Sequence, residues 1–73
     1  MTDYNNTLND FIIGDRVELH PACDLWMRGA RFGNVVKIGR KKVTVFVDHP
    51  AVRRDLPFSP DLLRVRARNG FIL

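Results

Sequence analysis

The sequence predicts an all-β protein, because apolar residues alternate with polar ones in three separate short stretches. Val17 and Leu19 alternate with charged residues in "GDRVEL", and the same period of two recurs in "VTVFVD" (43–48) and "LRVR" (63–66). This period is typical of strands that bury one face. We find no long stretch with the three-to-four-residue period of an amphipathic helix, so helices are expected only as short turns.

Turn-forming residues divide the chain into five predicted strands. Gly39 and Arg40 separate two apolar runs in "VVKIGRKKVTVFVD" and predict a tight hairpin, because glycine permits a positive φ. Ser59 as a cap, with Pro60 and Asp61 in the first turn, predicts one 3-10 turn before the last strand. We expect strands near 15–20, 31–39, 42–48, 52–57 and 63–67, a helical turn at 59–62, and a long loop over "HPACDLWMRG".

The 73 residues are expected to form one small domain over 11–67. Residues 1–10 are polar and without periodicity, which predicts a flexible N-terminal tail, and residues 68–73 are expected to form a C-terminal tail. The alternation predicts a core of Val17, Leu19, Val35, Ile38, Val43, Val45, Val47, Leu63 and Val65, with Phe32 or Val36 closing one end.

Three stretches resemble a known superfold. "GDRVEL" resembles the opening of KOW and Tudor domains, "RGARFGNVVKI" is similar to the core of the KOW motif, and "FSPDLLRV" looks like the helical turn and last strand of the same superfold. The resemblance covers residues 12–66 and implies a five-stranded SH3-like barrel. It implies a binding module, since the superfold includes proteins that bind the ribosome, RNA polymerase, histone tails and peptides; fold alone does not choose among them.

Charge and cysteine content narrow the expected surroundings. The formal net charge is +4, and the basic excess begins at Arg16, because the first fifteen residues contain no Lys or Arg. The single Cys23 excludes an internal disulfide and fits a reducing cytoplasm, which is the expected location. The N-terminus does not resemble a signal peptide, and no apolar run could span a bilayer, so no membrane partner is expected.

The basic residues have two interpretations. Lys and Arg at hairpin tips and edge strands protect sheets from aggregation, which accounts for one or two charges. The larger number here favours a polyanion, and we expect nucleic acid or a nucleoprotein complex as the partner. The candidate nucleic-acid-binding residues are Arg28, Arg31, Lys37, Arg40, Lys41, Lys42, Phe46, Arg53 and Arg54. Arg64, Arg66 and Arg68 are either solvated or paired with Asp10, Asp15 and Glu18.

Phe46 is the least expected residue, because the alternation in "VTVFVD" points it away from the core. It is covered by the Trp26 loop or a chain terminus, or it stacks on nucleic-acid bases, or it lies in a contact between copies of the chain. The second and third options separate two functions. The alternative to nucleic-acid binding is a protein-interaction or assembly module that uses Trp26, Phe46, Phe71, Ile72 and Leu73.

Other chemistries have weaker support. His20, Cys23, Asp24 and His49 are too few and too scattered for a closed zinc site, and His49-Pro50 is expected to form a turn. An aromatic cage of Trp26, Phe32 and Phe46 would be rimmed by arginines that repel a cationic ligand. No catalytic constellation is legible, so we expect a non-enzymatic protein without a cofactor.

Overall fold

Six antiparallel strands form one sheet in the computed structural model of the chain, which describes residues 6–68 and the backbone of residues 71 and 72. The all-β prediction is confirmed. The strands are β1 (Arg16–Leu19), β2 (Phe32–Ile38), β3 (Val43–Val47), β4 (Arg54–Phe58), β5 (Leu63–Arg68) and β6 (Phe71–Ile72). Their order is β4-β3-β2-β1-β5-β6, so β4 and β6 form the edges. The five predicted strands all occur, and β6 is an additional strand of two residues.

Short helical pieces connect the strands. A single α-helical turn, α1 (Asp24–Met27), lies in the segment predicted as a loop, and a 3-10 turn at Leu8–Asp10 lies in the predicted N-terminal tail. The predicted turn before β5 is confirmed as a 3-10 turn at Pro60–Leu62. Within the described part of the chain, no helix has both the length and the apolar character needed to cross a membrane.

The core lies on one face of the sheet. Alternation is confirmed in β1, β3 and β5, whose inward residues Val17, Leu19, Val43, Val45, Val47, Leu63 and Val65 are all buried together with Val35. The expectation that Phe32 or Val36 closes one end is wrong, since they are 38% and 40% exposed. Phe11, Ala30 and Phe58 join the core instead, and Ile38 packs against it while partly exposed.

An extra residue in β2 sets the direction of its side chains. Val35 lies opposite Val45, but Lys37 lies opposite Thr44, so Val36 is a bulge without a partner on β3. The bulge lets Val35 and Ile38 face the same side although they are three positions apart. It also turns Lys37 outward, toward the face opposite the core.

Close contact between β2 and β3 depends on Gly33. A Cβ atom at this position would lie 2.5 Å from Val45 Cγ1 and 2.6 Å from the Phe46 carbonyl oxygen. Any other residue would push the two strands apart, so the glycine is a packing requirement in the middle of the sheet.

Candidate nucleic-acid interface

The twelve cationic side chains divide into two classes. Four arginines pair with carboxylates: Arg16 with Asp48 at 2.7 Å, Arg64 and Arg66 with Glu18 at 2.6 and 3.5 Å, and Arg68 with Asp15 at 2.8 Å. The other eight make no ion pair with any residue that the structure describes. Those eight are the cationic residues that the sequence analysis selected as candidates for nucleic-acid binding.

The pair between Asp15 and Arg68 is structural. Asp15 is 1% exposed, and its two carboxylate oxygens accept hydrogen bonds from Nε and Nη2 of Arg68 at 2.9 and 2.8 Å. Asp15 Oδ2 also accepts the backbone N–H of Ile12 at 2.8 Å. The hydrogen bond to Asp15 raises the pKa of Arg68, so this guanidinium stays charged and fixed. Of the two options for Arg64, Arg66 and Arg68, pairing is therefore the one that occurs, with the carboxylates of Glu18 and Asp15 and, from Arg68, with the backbone carbonyl of Asp10.

One group of unpaired cations surrounds the turn between β2 and β3. Arg40, Lys41 and Lys42 lie in a loop closed by a 2.9 Å hydrogen bond from Gly39 N to Lys42 O, and all three are exposed. Lys37 is also exposed, on the outer face of β2 shortly before the loop begins. We call Lys37, Arg40, Lys41 and Lys42 the hairpin end.

A second group lies at the other end of β3. Arg54 begins β4 opposite Val47, the last residue of β3, and Arg53 precedes it. Arg28 and Arg31 follow α1 and precede β2. The two connecting segments touch, since His49 Nε2 lies 3.3 Å from the position that a Cβ atom on Gly29 would occupy. We call the exposed residues Arg28, Arg31, Arg53 and Arg54 the loop end.

The two ends are separated by the length of β3. Val43 is next to the hairpin loop and Val47 is level with Arg54, so four strand steps, about 14 Å, lie between them. The eight cations are therefore distributed over two surfaces, one at each end of β3. Strand order alone could have indicated this, because consecutive turns of an antiparallel meander lie at opposite ends.

Phe46 lies between these ends on the outer face of the sheet. Its strand neighbours Val45 and Val47 are buried, and Phe46 itself is half-buried opposite Asn34 and Asp55, which confirms the predicted outward direction. It is absent from the core cluster. Because the Phe46 ring is partly exposed, its position is compatible with each of the three interpretations.

The other two candidate cage aromatics already have cationic neighbours. The Arg31 guanidinium lies 4.6 Å from the centroid of the Trp26 ring, and that of Arg16 lies 5.7 Å from the centroid of Phe32. These are cation–π contacts within the chain. A cage for a methylated cation would need those ring faces, which these guanidinium groups already contact.

Both histidines are used in turns. His20 Nδ1 accepts the backbone N–H of Ala22 at 2.9 Å, and His49 Nδ1 accepts that of Ala51 at 3.1 Å. The predicted turn at His49 is confirmed by the hydrogen bond from Val52 N to His49 O. Over residues 6–68, no three His, Cys, Asp or Glu side chains come together in a way that could hold a metal ion.

The residues of the protein-interaction alternative are described only in part. Trp26 and Phe46 are half-buried, while the side chains of Phe71 and Ile72 and all of Leu73 lie outside the described residues. Sequence reasoning missed the exposed aliphatic residues Ile12, Ile13 and Val36, which the 2.8 Å hydrogen bond from Gly14 N to Val35 O brings near one another. No periodic pattern in the sequence predicts their exposure, because Ile12 and Ile13 lie in a turn and Val36 lies in a bulge.

Comparison of the chain with protein families, with curated proteins and with solved structures found no match.

Proposed function

We propose that the chain is a non-catalytic binding module that contacts nucleic acid, or a nucleic-acid machine such as the ribosome or RNA polymerase, through its basic hairpin end. The observation that carries this proposal is the place of the hairpin in the sheet. β2 and β3 are both interior strands, whereas the edges are β4 and β6. Edge protection accounts for charges on β4 but gives no reason for four cations around the β2–β3 turn.

The local charge balance supports the same conclusion. Lys37, Arg40, Lys41 and Lys42 are all exposed and none forms an ion pair with a described residue. Four like charges within a few residues repel one another in the free protein. A polyanion relieves that repulsion and releases its own counterions on binding, which gives a salt-dependent affinity that does not depend on sequence.

We also propose that the sheet curls into a small SH3-like barrel of the KOW/Tudor type. Val43 of β3 and Leu63 of β5 are both 0% exposed although three strand boundaries separate them, and a sheet that curls around its buried face supplies such coverage. The close approach at Gly33 and the bulge at Val36 are devices that bend strands at barrel corners. The pairing of β1 with both β2 and β5 also suits this topology.

The hairpin is tested by replacing Arg40, Lys41 and Lys42 with Gln. Folding should change by less than about 0.5 kcal/mol, because exposed turn charges contribute little to stability. The slope of log affinity for duplex DNA against log salt should shrink by roughly 2–3 units, about 0.9 for each lost phosphate contact.

The control for that experiment keeps the charge and changes the side chain. Replacing Lys41 and Lys42 with Arg should leave the salt slope as it is in the wild type, because the point charges remain. If the wild-type protein shows no salt-dependent binding to any RNA or DNA, the proposed function is wrong.

The protein-interaction alternative has one observation in its favour. Ile12, Ile13 and Val36 are 49%, 64% and 40% exposed, and the backbone segments that carry them meet at the hydrogen bond from Gly14 N to Val35 O. Clustered apolar exposure is a feature of surfaces that contact other chains. Sedimentation over a range of concentrations would test a homomeric contact, and Ile13→Asn should abolish any self-association while the domain stays folded.

A further inference from the structure

The loop end differs in chemistry from the hairpin end. Three of the four cations at the hairpin end are lysines, whereas the loop end contains only arginines: Arg28, Arg31, Arg53 and Arg54. Lysine acts as a point charge toward phosphate. Arginine has a planar group that holds phosphate with two hydrogen bonds and also stacks on flat rings. The two ends are therefore suited to different parts of a nucleic acid.

Separate segments of the chain bring these arginines to one end of the sheet. Arg28 and Arg31 come from the connection after α1, while Arg53 and Arg54 come from the connection before β4, and His49 packs against Gly29 between them. Among the carboxylates that the structure describes near this end, Asp48 is paired with Arg16, and Asp24 and Asp55 remain to offset four positive charges. The net field at the loop end is positive.

Arg31 already lies over an aromatic ring. Its guanidinium is 4.6 Å from the centroid of the Trp26 ring, and Arg31 as a whole is exposed. A second flat ring can therefore reach the guanidinium from the solvent side. Unpaired bases in RNA and single-stranded DNA stack on arginine planes as well as on aromatic side chains.

We propose that the loop end binds an unpaired nucleotide, with its base stacked on Arg31 and its neighbouring phosphates held by Arg28, Arg53 and Arg54. This inference rests on the proposed function and adds to it a preference for single-stranded nucleic acid. A single strand that engages both ends spans about 14 Å across β3, which fits the site sizes of about 4 nucleotides or more in small barrels. A duplex offers only its phosphates, since its bases are already stacked and paired.

The test uses Arg31→Lys, which keeps the charge and removes the planar group. Binding of a 12-nucleotide single strand (a length of about this size satisfies both ends) should weaken about fivefold or more, within the range for loss of one base stack. Affinity for a duplex of the same sequence and the salt slope should not change, because the positive charge remains. Trp26 is the only tryptophan, so its fluorescence reports on this end directly and should be quenched by the single strand but not by the duplex.

Arg66→Lys is the matched control, since Arg66 is exposed on β5, which β1 separates from β2, and it lies outside the loop end. It should change single-strand affinity less than twofold. A second variant, Arg53→Gln with Arg54→Gln, should reduce the single-strand salt slope by about 1.4 units, about 0.7 for each contact.

The outcomes separate this inference from the proposed function. The loop end does not hold an unpaired nucleotide if Arg31→Lys binds the single strand as tightly as the wild type. The same conclusion follows if Trp26 fluorescence does not change when the single strand is added. The hairpin variant would still lose its salt slope in that case, and the proposed function would stand. If the wild type binds neither form of nucleic acid, both proposals are wrong.

Discussion

Arg68 and Arg54 are the same residue type on neighbouring parts of the chain, yet their surroundings are opposite. Arg68 belongs to the seam between β1 and β5, where Arg64, Arg66 and Arg68 meet the carboxylates of Glu18 and Asp15. Arg54 belongs to the loop end, where no described carboxylate pairs with it. The net charge of +4 thus combines a nearly neutral seam with two strongly positive ends. Cations that are paired within the fold and cations that are unpaired among the described residues therefore lie in separate places.

The largest expected effect comes from removing one partner in the seam. Arg68→Gln leaves the buried Asp15 carboxylate without its two-pronged partner, and breaking a buried pair in this way costs about 3–5 kcal/mol. In a domain of this size the loss should lower Tm by more than about 10 °C, measured by circular dichroism.

Arg54→Gln is the matched substitution at the loop end. It should leave Tm within about 3 °C of the wild type, because exposed substitutions are usually within ±0.5 kcal/mol, and it should weaken nucleic-acid binding instead. Equal stability losses in the two variants would show that Arg54 contributes as much to folding as Arg68. That result would contradict the distinction between the seam and the loop end.

An intermediate effect is expected at Phe46, which lies between the two ends. Phe46→Ala should cost about 1–2 kcal/mol of stability, below the roughly 3–5 kcal/mol of a core Phe, because the ring is only half-buried and outside the core cluster. If bases stack on it, single-strand affinity should also fall by roughly 1–3 kcal/mol.

The same variant distinguishes the other interpretations of Phe46. A stability loss as large as that of a core Phe, with affinity unchanged, would mean that a loop or terminus covers the ring. Loss of an oligomer on dilution, seen by sedimentation while the melt is unchanged, would place Phe46 in a contact between copies.

The smallest expected effect concerns Arg53, which has a φ of +40°. This backbone region costs a side chain of L configuration about 1–2 kcal/mol, although glycine loses part of that advantage through the entropy of the unfolded chain. Arg53→Gly should therefore raise the free energy of unfolding by up to about 1 kcal/mol and reduce the single-strand salt slope by about 0.7. Arg54→Gly lies in an extended strand and should lower stability, so a gain there would contradict this explanation.

Sequence alone predicts the parts of the fold that depend on local pattern. Val43, Val45 and Val47 are buried because a strand alternates every second residue, and Pro60 begins a turn because its φ is already fixed. Phe11 and Phe58 are core residues that the alternation missed, since they lie outside or at the end of periodic stretches. The turn α1 is too short, at four residues, to show a helical period.

The candidate site is less accessible to sequence reasoning than the fold. The sequence identifies which residues are cationic, but not which of them are neutralised, because Arg68 and its partner Asp15 are 53 positions apart. Nor does it place Arg31 on Trp26, which requires the backbone around α1 to fold first. Long-range pairing depends on which strands become neighbours, and that is a property of the whole sheet.

The bulge at Val36 determines which side chains at the end of β2 face the core. Side chains along a strand point alternately to the two faces of the sheet, and one unpaired residue reverses the face for every later residue of that strand. If Val36 paired with β3 instead of bulging, the chain would have the same number of charged residues and the same net charge, yet Lys37 would lie opposite Val43 and point toward the core, and Ile38 would point into solvent. How strongly this protein attracts an anion therefore depends on an uncharged residue that need not touch the anion at all.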